Sequence, residues 1–427
     1  MRGLIMILLL LSFSLVYANG PAITYTGNWT VDSGVRIITG QPAGVPGAIQ
    51  LSNGSIIIYY SDAGVGGIAA STSADGLHFG PPVGPILGKC NGMPLIGNFE
   101  IFKEANGDYR AYATTQHQTN NTQSQNQNQN NNGQSSNQQQ NNNGQSQNQN
   151  QNNNMQIPSI FQQICTATSQ DGLHFTSPIL INATNDPSFN NYNNFTSKPK
   201  ARLLPNGTIL MYYIYSAAIF PIPPCGSHYK AATSSDGIHF NVLGCVYFTS
   251  GYDNFVDPTF ETLPNGTIMF MAGPETPQFM PPGTKLGIYR AYSTDKSYLN
   301  FSALKLVISA PTPTDPSWPS GVTDPEVIAL SNGTYRIYYD GATDNGTQMA
   351  IYSATWKPIP VSVPNSTTST IPKQTSIYTT TPTTVPTTTT TLVVTAPSTS
   401  TIPIIPQKGQ NIWGQIANFF SRLFGKL

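Results

Sequence analysis

Five Asn-Gly turns, with glycines at 54, 107, 207, 266 and 333, each lead into an apolar strand and predict an all-β, five-bladed β-propeller. A second turn signature, built on Asp-Gly, recurs between them. The repeat stays near roughly 60 residues once a low-complexity insertion is set aside, as a stack of similar units requires. A β-sandwich gives no reason for such self-similarity.

The chain of 427 residues opens with Arg2, an apolar run over 4–16 and the small-residue pattern Val16-Tyr17-Ala18. That run is short for a bilayer span of about 20 residues and fits a signal peptide, so residues 1–18 are expected to direct export. An uncleaved N-terminal anchor is the alternative. Residues 23–40 form a strand pair with no turn of their own, and they are expected to complete the last blade and close the ring.

Within the units, the first turn reads Leu51-Ser-Asn-Gly54, Glu104-Ala-Asn-Gly107, Leu204-Pro-Asn-Gly207, Leu263-Pro-Asn-Gly266 and Leu330-Ser-Asn-Gly333. A two-residue hairpin with both central residues at positive φ is the expected geometry. Strand-like runs such as Ile56-Ile-Ile-Tyr-Tyr60 and Tyr335-Arg-Ile-Tyr-Tyr339 follow. The second signature reads Ser73-Ala-Asp-Gly-Leu-His-Phe79, Ser169-Gln-Asp-Gly-Leu-His-Phe175 and Ser234-Ser-Asp-Gly-Ile-His-Phe240, with a looser form at 293–301. Its Ser and Asp side chains are placed to cap backbone amides. One His per repeat, at 78, 174 and 239, reads as structural rather than metal-binding. The fifth unit lacks this signature.

Residues 118–154 are almost entirely Gln and Asn and have nothing to bury, so a disordered insertion is expected there. Residues 357–406 are dominated by Thr, Pro and Ser and read as an extended, O-glycosylated linker. Over 407–427 the apolar residues Ile412, Trp413, Ile416, Phe419, Phe420, Leu423 and Phe424 fall on one helical face. That amphipathic helix either lies on a membrane surface or docks on protein. The four cysteines have no zinc-ligand spacing, and export favours the disulfides Cys225–Cys245 and Cys90–Cys165.

Only 9% of residues are charged, 19 basic against 19 acidic, against a usual share of about 25%. Without a basic excess, nucleic acid is excluded as a partner. Few basic groups also mean little repulsion once carboxylates are protonated, which suits acidic surroundings; secretion with a polar surface is the other explanation. Eleven Asn-x-Ser/Thr sites include the turn asparagines 53, 206, 265 and 332.

The Ser-x-Asp-Gly-x-x-Phe hairpin, together with Asp-Pro opening an inner strand, resembles the five-bladed glycosidases of family 43 and the arabinanase, levansucrase and invertase group. The resemblance spans 23–356. It implies a central funnel where an Asp of the first blade is base or nucleophile, an Asp of the third tunes, and a Glu of the fourth is the general acid. Nine residues before each turn glycine stand Val45, Asn98, Lys198, Asp257 and Asp324, all but Asn98 followed by proline. Two residues on, the same face carries Gly47, Glu100, Lys200, Thr259 and Glu326, and the next tier Ile49, Phe102, Arg202, Glu261 and Ile328. The catalytic candidates are Asp257, Asp324, Glu326 and Glu100; Asn98, Lys198, Lys200, Arg202 and Glu261 are the substrate-binding candidates.

No metal or cofactor is expected, and a glycan or polysaccharide is the expected partner. Val45 and Lys198 stand where the family has its first- and third-blade Asp. Three readings stay open: an exported glycan-binding surface protein, a hydrolase with rearranged carboxylates, and a structural surface protein.

Overall fold

The computed structural model describes residues 23–38, 45–62, 64–119, 159–190, 195–215, 228–250, 255–274, 284–309, 322–342 and 349–362. Residues 1–18, read as a signal peptide, nearly all of the Gln/Asn stretch, Cys225, the residues beyond 362 read as a linker and the helix expected at 407–427 lie outside them. The compact unit is Tyr25–Ile359. Its described residues form strands, turns and loops, with no helix.

Five blade sheets follow one another, antiparallel throughout except for one parallel edge pair in blade 3. Blade 1 is Gly47–Gln50, Ile56–Asp62 and Gly67–Ser73, with Val83 bridging to Ala70 at its outer edge. Blade 2 is Leu95–Lys103, Tyr109–Thr119, Ser159–Ser169 and Ile179–Leu180; its second strand carries two residues, Gln118 and Thr119, of the segment read as insertion. Blade 3 is Ser197–Leu203, Ile209–Ile214, Tyr229–Ser234 and His239–Cys245, edged by Asn182–Ala183. Blade 4 is Phe255–Thr262, Ile268–Pro274, Gly287–Tyr292 and Lys305–Ser309. Blade 5 is Val322–Ala329, Tyr335–Ala342 and Met349–Trp356.

The N-terminal segment closes blade 5 as expected. Thr30 and Val31 pair with Thr355 and Ala354, and Ile37 and Ile38 with Ile351 and Ala350. The five inner strands contact one another in a ring, with blade 5 next to blade 1.

The Asn-Gly turns differ from the expected geometry. Only the glycines are left-handed, at φ 88° for Gly54 and 80° for Gly333, while the asparagines are not. Gly54 N–H donates to Leu51 O at 2.9 Å and Leu51 N–H to Ser55 O at 2.8 Å, and the other four turns repeat both bonds. This is a three-residue loop, a type I turn followed by a left-handed glycine. The sequence carried the reason: Pro205 and Pro264 occupy the turn position whose φ proline presets.

The fold has no single core. Strand alternation sends Ile57 and Tyr59 toward blade 2 and Ile56, Ile58 and Tyr60 toward blade 5, so one strand serves two apolar layers. Five such layers lie between successive blades. Each Asp-Gly turn is latched by the blade before it. Tyr59 Oη donates to Gly172 O at 2.7 Å, Tyr112 Oη to Gly237 O at 3.0 Å and Tyr338 Oη to Gly76 O at 3.0 Å. Tyr212 makes the same bond to Tyr298 O at 2.9 Å in the looser fourth turn. Blade 5 has no such turn, and the matching residue of blade 4 is Met271.

Tyr112→Phe should therefore lower stability by about 1–3 kcal/mol, because it strands the buried Gly237 carbonyl. Urea unfolding checks this, and Met271→Leu, which breaks no latch, should shift the midpoint far less.

The Asp-Gly turns themselves are capped alike. Ser73 Oγ accepts Gly76 N–H at 2.9 Å, Asp75 Oδ1 accepts His78 N–H at 2.9 Å, and Asp75 Oδ2 bonds His78 Nδ1 at 2.7 Å. The turns at Asp171 and Asp236 repeat this pattern. Each histidine thus serves its own turn. Cys90 and Cys165 form a disulfide, and Cys245 is also disulfide-bonded.

Candidate functional site

Every inner strand enters through a left-handed residue. Val45, Asn98, Lys198, Asp257 and Asp324 have φ of 63°, 53°, 49°, 55° and 48°. In blades 2 to 5 the pairing register shifts at this point. Left-handed backbone is rare outside glycine and most strained for a β-branched residue such as Val45. Its fivefold repetition, valine included, marks it as a device of the architecture. In blades 2 to 5 the resulting bulge replaces regular alternation at the start of the strand.

What enters the channel is mainly charge, in three tiers. At the first, Lys198 Nζ pairs with Asp257 and lies 3.4 Å from Asp324 Oδ1; Thr323 Oγ1 donates to Asp257 Oδ2 at 3.2 Å. Asp257 and Asp324 therefore sit on neighbouring inner strands and share one ammonium. At the second, Lys200 Nζ is 2.6 Å from Glu326 Oε2 and 3.5 Å from Glu100 Oε2, and Thr259 Oγ1 lies 3.4 Å from Glu326. At the third, Arg202 bonds Glu261 Oε1 through Nε at 2.7 Å, Glu326 Oε1 through Nη2 at 3.0 Å, and Glu100 through Nη1. Pairs from blade 3 to blade 5 join strands that are not neighbours, so they cross the channel.

Burial separates these residues. The side chains of Glu100 and Glu326 are 0% exposed, whereas Lys198 is 26% and Asp324 14% exposed. The upper mouth thus presents Lys198 and Asp324, Glu100 and Glu326 below are walled in, and Glu261, 14% exposed, faces the other end. Burial raises the Glu261 carboxyl despite Arg202 beside it. Burial alone would lower Arg202, but Glu261 and Glu326 outweigh it and hold the guanidinium more firmly charged. Asn98 is buried, and its Oδ1 has no hydrogen-bond partner among the described residues.

Counting along inner strands missed one residue, Asp340, on the second strand of blade 5. It is 1% exposed and accepts Val45 N–H at 2.9 Å through Oδ2. Seven residues after each turn glycine, this position holds Ser61, Thr114, Ile214, Gly273 and Asp340. Thr114 Oγ1 accepts Lys198 N–H at 3.2 Å and Ser61 Oγ donates to Ile96 O at 3.3 Å, so the position reaches the next blade's entrance. At the blade 5–blade 1 junction a carboxyl does this. A repeat-aligned comparison of second strands would have shown the lone acid.

Burial, then the charge of Asp324, pushes the Asp340 carboxyl well above the usual range, against the pull of Val45 N–H. The native state then holds a proton that the unfolded chain releases above about pH 4. Stability should therefore fall as pH rises from there through the raised native value. Melting curves across that range should show the slope, and Asp340→Asn should flatten it.

A separate cavity of about 420 Å³ opens at the opposite end of the channel, with Arg202 and Glu261 at its base and Ser52, Gly54 and Ser331 at its rim.

No protein-family model and no curated protein matches the sequence. Solved structures do. A thermostable family-43 glycoside hydrolase is 14% identical over 78% of this chain and 98% of its own, with a TM-score of 0.50. A family-130 study of hydrolases that target β-1,2-mannosidic linkages supplies another, at 15% identity, 77% and 94% coverage and a TM-score of 0.47. The Bombyx mori family-32 β-fructofuranosidase is 12% identical, covering 77% of this chain and 61% of its own, with a TM-score of 0.44. The chain has the five-bladed propeller fold of the family-43 structure. At these identities the likeness is one of fold, and function must be argued from the site.

Proposed function

We propose that this chain is an exported cell-surface protein that binds glycan at the upper mouth of the channel and does not hydrolyse it. One observation carries the reading. The three basic side chains of blade 3 occupy the channel and pair with all five inner-strand carboxylates, Glu100, Asp257, Glu261, Asp324 and Glu326, while Asp340, outside this network, is buried.

Glycoside hydrolysis uses two carboxyl groups, one protonated and one ionised, about 5–10 Å apart with substrate between them. Glu100 and Glu326 have no exposed surface with which to meet a glycosidic oxygen. Asp257 and Asp324 converge on one ammonium, so neither stands free to act on a glycosidic bond. Lys198 and Asp324 remain as a donor and an acceptor for sugar hydroxyls, the kind of few, placed polar groups that orient a ligand. A resemblance to glycosidases supports a carbohydrate ligand, and the leader-like 1–18 supports export.

Calorimetric titration of the full chain with arabinan, xylan and fructan, beside a reducing-sugar assay, tests the reading. The expected result is binding to at least one of them, at least tenfold weaker in Lys198→Ala and Asp324→Ala, with no sugar released. Release of sugar that Asp324→Asn abolishes would restore the hydrolase, and absence of binding to all three would remove the glycan ligand.

A further inference from the structure

The Asn-Gly turns carry a chemistry that the channel does not use. Four of the five continue with a hydroxyl residue: Asn53-Gly-Ser55, Asn206-Gly-Thr208, Asn265-Gly-Thr267 and Asn332-Gly-Thr334. All four asparagines are exposed. In each, Oδ1 accepts the backbone N–H two residues on, at 3.0, 3.0, 3.1 and 3.0 Å. At Asn53 and Asn332 the hydroxyl also donates to Oδ1, at 2.6 and 2.7 Å. The turn thus uses the amide oxygen, and the nitrogen of Asn53, Asn206 and Asn332 makes no hydrogen bond among the described residues. The tips are open, since a Cβ built on Gly54, Gly207, Gly266 or Gly333 meets nothing within 4 Å.

The fifth turn is a built-in contrast. Asn106 has the same bond, from Asp108 N–H to Oδ1 at 3.0 Å, but Asp108 replaces the hydroxyl residue and takes the Asn106 amide nitrogen at 2.9 Å. The same backbone is therefore present five times and the acceptor sequence four times.

We infer that Asn53, Asn206, Asn265 and Asn332 are N-glycosylated, so that one face of the propeller carries a ring of glycans while the face of Lys198 and Asp324 stays open. The donor is a lipid-pyrophosphate-linked oligosaccharide. The Asn Nδ2 bonds to sugar C1 as the C1–O bond to pyrophosphate breaks; the amide gives one proton to a base of the transferase, and the lipid pyrophosphate leaves. The bonds of each turn lie within a few consecutive residues, so the acceptor asparagine needs no distant part of the propeller to be presented. Each inner strand runs from its left-handed entrance to its Asn-Gly turn, so the four turns share the end opposite Lys198. The Asn53 and Asn332 turns flank the lower cavity, whose rim includes Ser52, Gly54 and Ser331. The inference rests on export and not on glycan binding.

Glycopeptide mass spectrometry of the protein purified from its own source tests it. At least three of the four turn peptides should carry sugar while the Asn106 peptide is bare. Two or fewer modified turns, or sugar on Asn106, would overturn it. Thr334→Ala should abolish the adduct at Asn332 alone. Removing all four hydroxyl residues should leave any polysaccharide affinity measured for the upper mouth within twofold, and a larger loss would overturn the assignment of opposite faces. The peptide masses report on modification even if no polysaccharide binds.

Discussion

Lys200→Met should destabilise the propeller by about 3–5 kcal/mol, because it removes one member of a buried charge network and strands the others. Lys200 is 2% exposed, and its partner Glu326 is wholly buried, with Glu100 nearby. Arg202 remains, yet it already serves Glu100, Glu261 and Glu326. Neutralising a partner as well should repair most of the damage, since a buried pair replaced as a unit is often close to neutral. Lys200→Met with Glu326→Gln is thus expected to be more stable than Lys200→Met alone. Urea unfolding of wild type, both single variants and the double variant gives the coupling energy directly. A loss below about 1 kcal/mol in Lys200→Met would mean that water reaches this tier and screens the charges.

The second large effect is expected at the disulfide. Cys90 precedes the inner strand of blade 2 and Cys165 lies in its third strand, 75 residues later. The Gln/Asn segment falls inside that loop, so closing the blade without the bond would mean ordering the ends of a long, unfavourable connection. For a loop of this length the cross-link contributes about 4 kcal/mol, mostly by restricting the unfolded chain. Cys165→Ala should lose most of this. Deleting 120–154 in the same background should recover part of it by shortening the loop. Equal stability of the two reduced forms would show that the segment adds no closure penalty.

The fold was legible because its signals are local. An Asn-Gly or Asp-Gly turn is decided by a few consecutive residues, and five repetitions leave few architectures. The N-terminal closing strand could be placed because blade 5 lacked a partner. Counting nine, seven and five residues back from each glycine also found the channel lining, including all three basic residues of blade 3. What the count could not give was depth. Glu100 and Asp324 look alike in sequence, yet one is sealed by Lys200 and Arg202 and the other reaches the mouth. The left-handed entrances were invisible for another reason: valine and lysine have no local preference for that conformation, and the ring imposes it. Asp340 escaped because it lies on a second strand, and only the inner strands were aligned to the turn glycines.

The closing strand also sets the order in which this protein can fold. Asp32 accepts a hydrogen bond from Ser353, 321 residues away, and Thr30 and Val31 pair with Thr355 and Ala354. A chain delivered from its N-terminus therefore presents this strand first and can use it last. Until Met349–Trp356 arrives, the strand lacks the partner strand on which it docks, and blades 1 to 4 form an open arc whose final contact has a very large loop to close. Docking of residues 30–38 can therefore complete the ring only after Met349–Trp356 has been made, and until then the open arc keeps an unpaired strand edge.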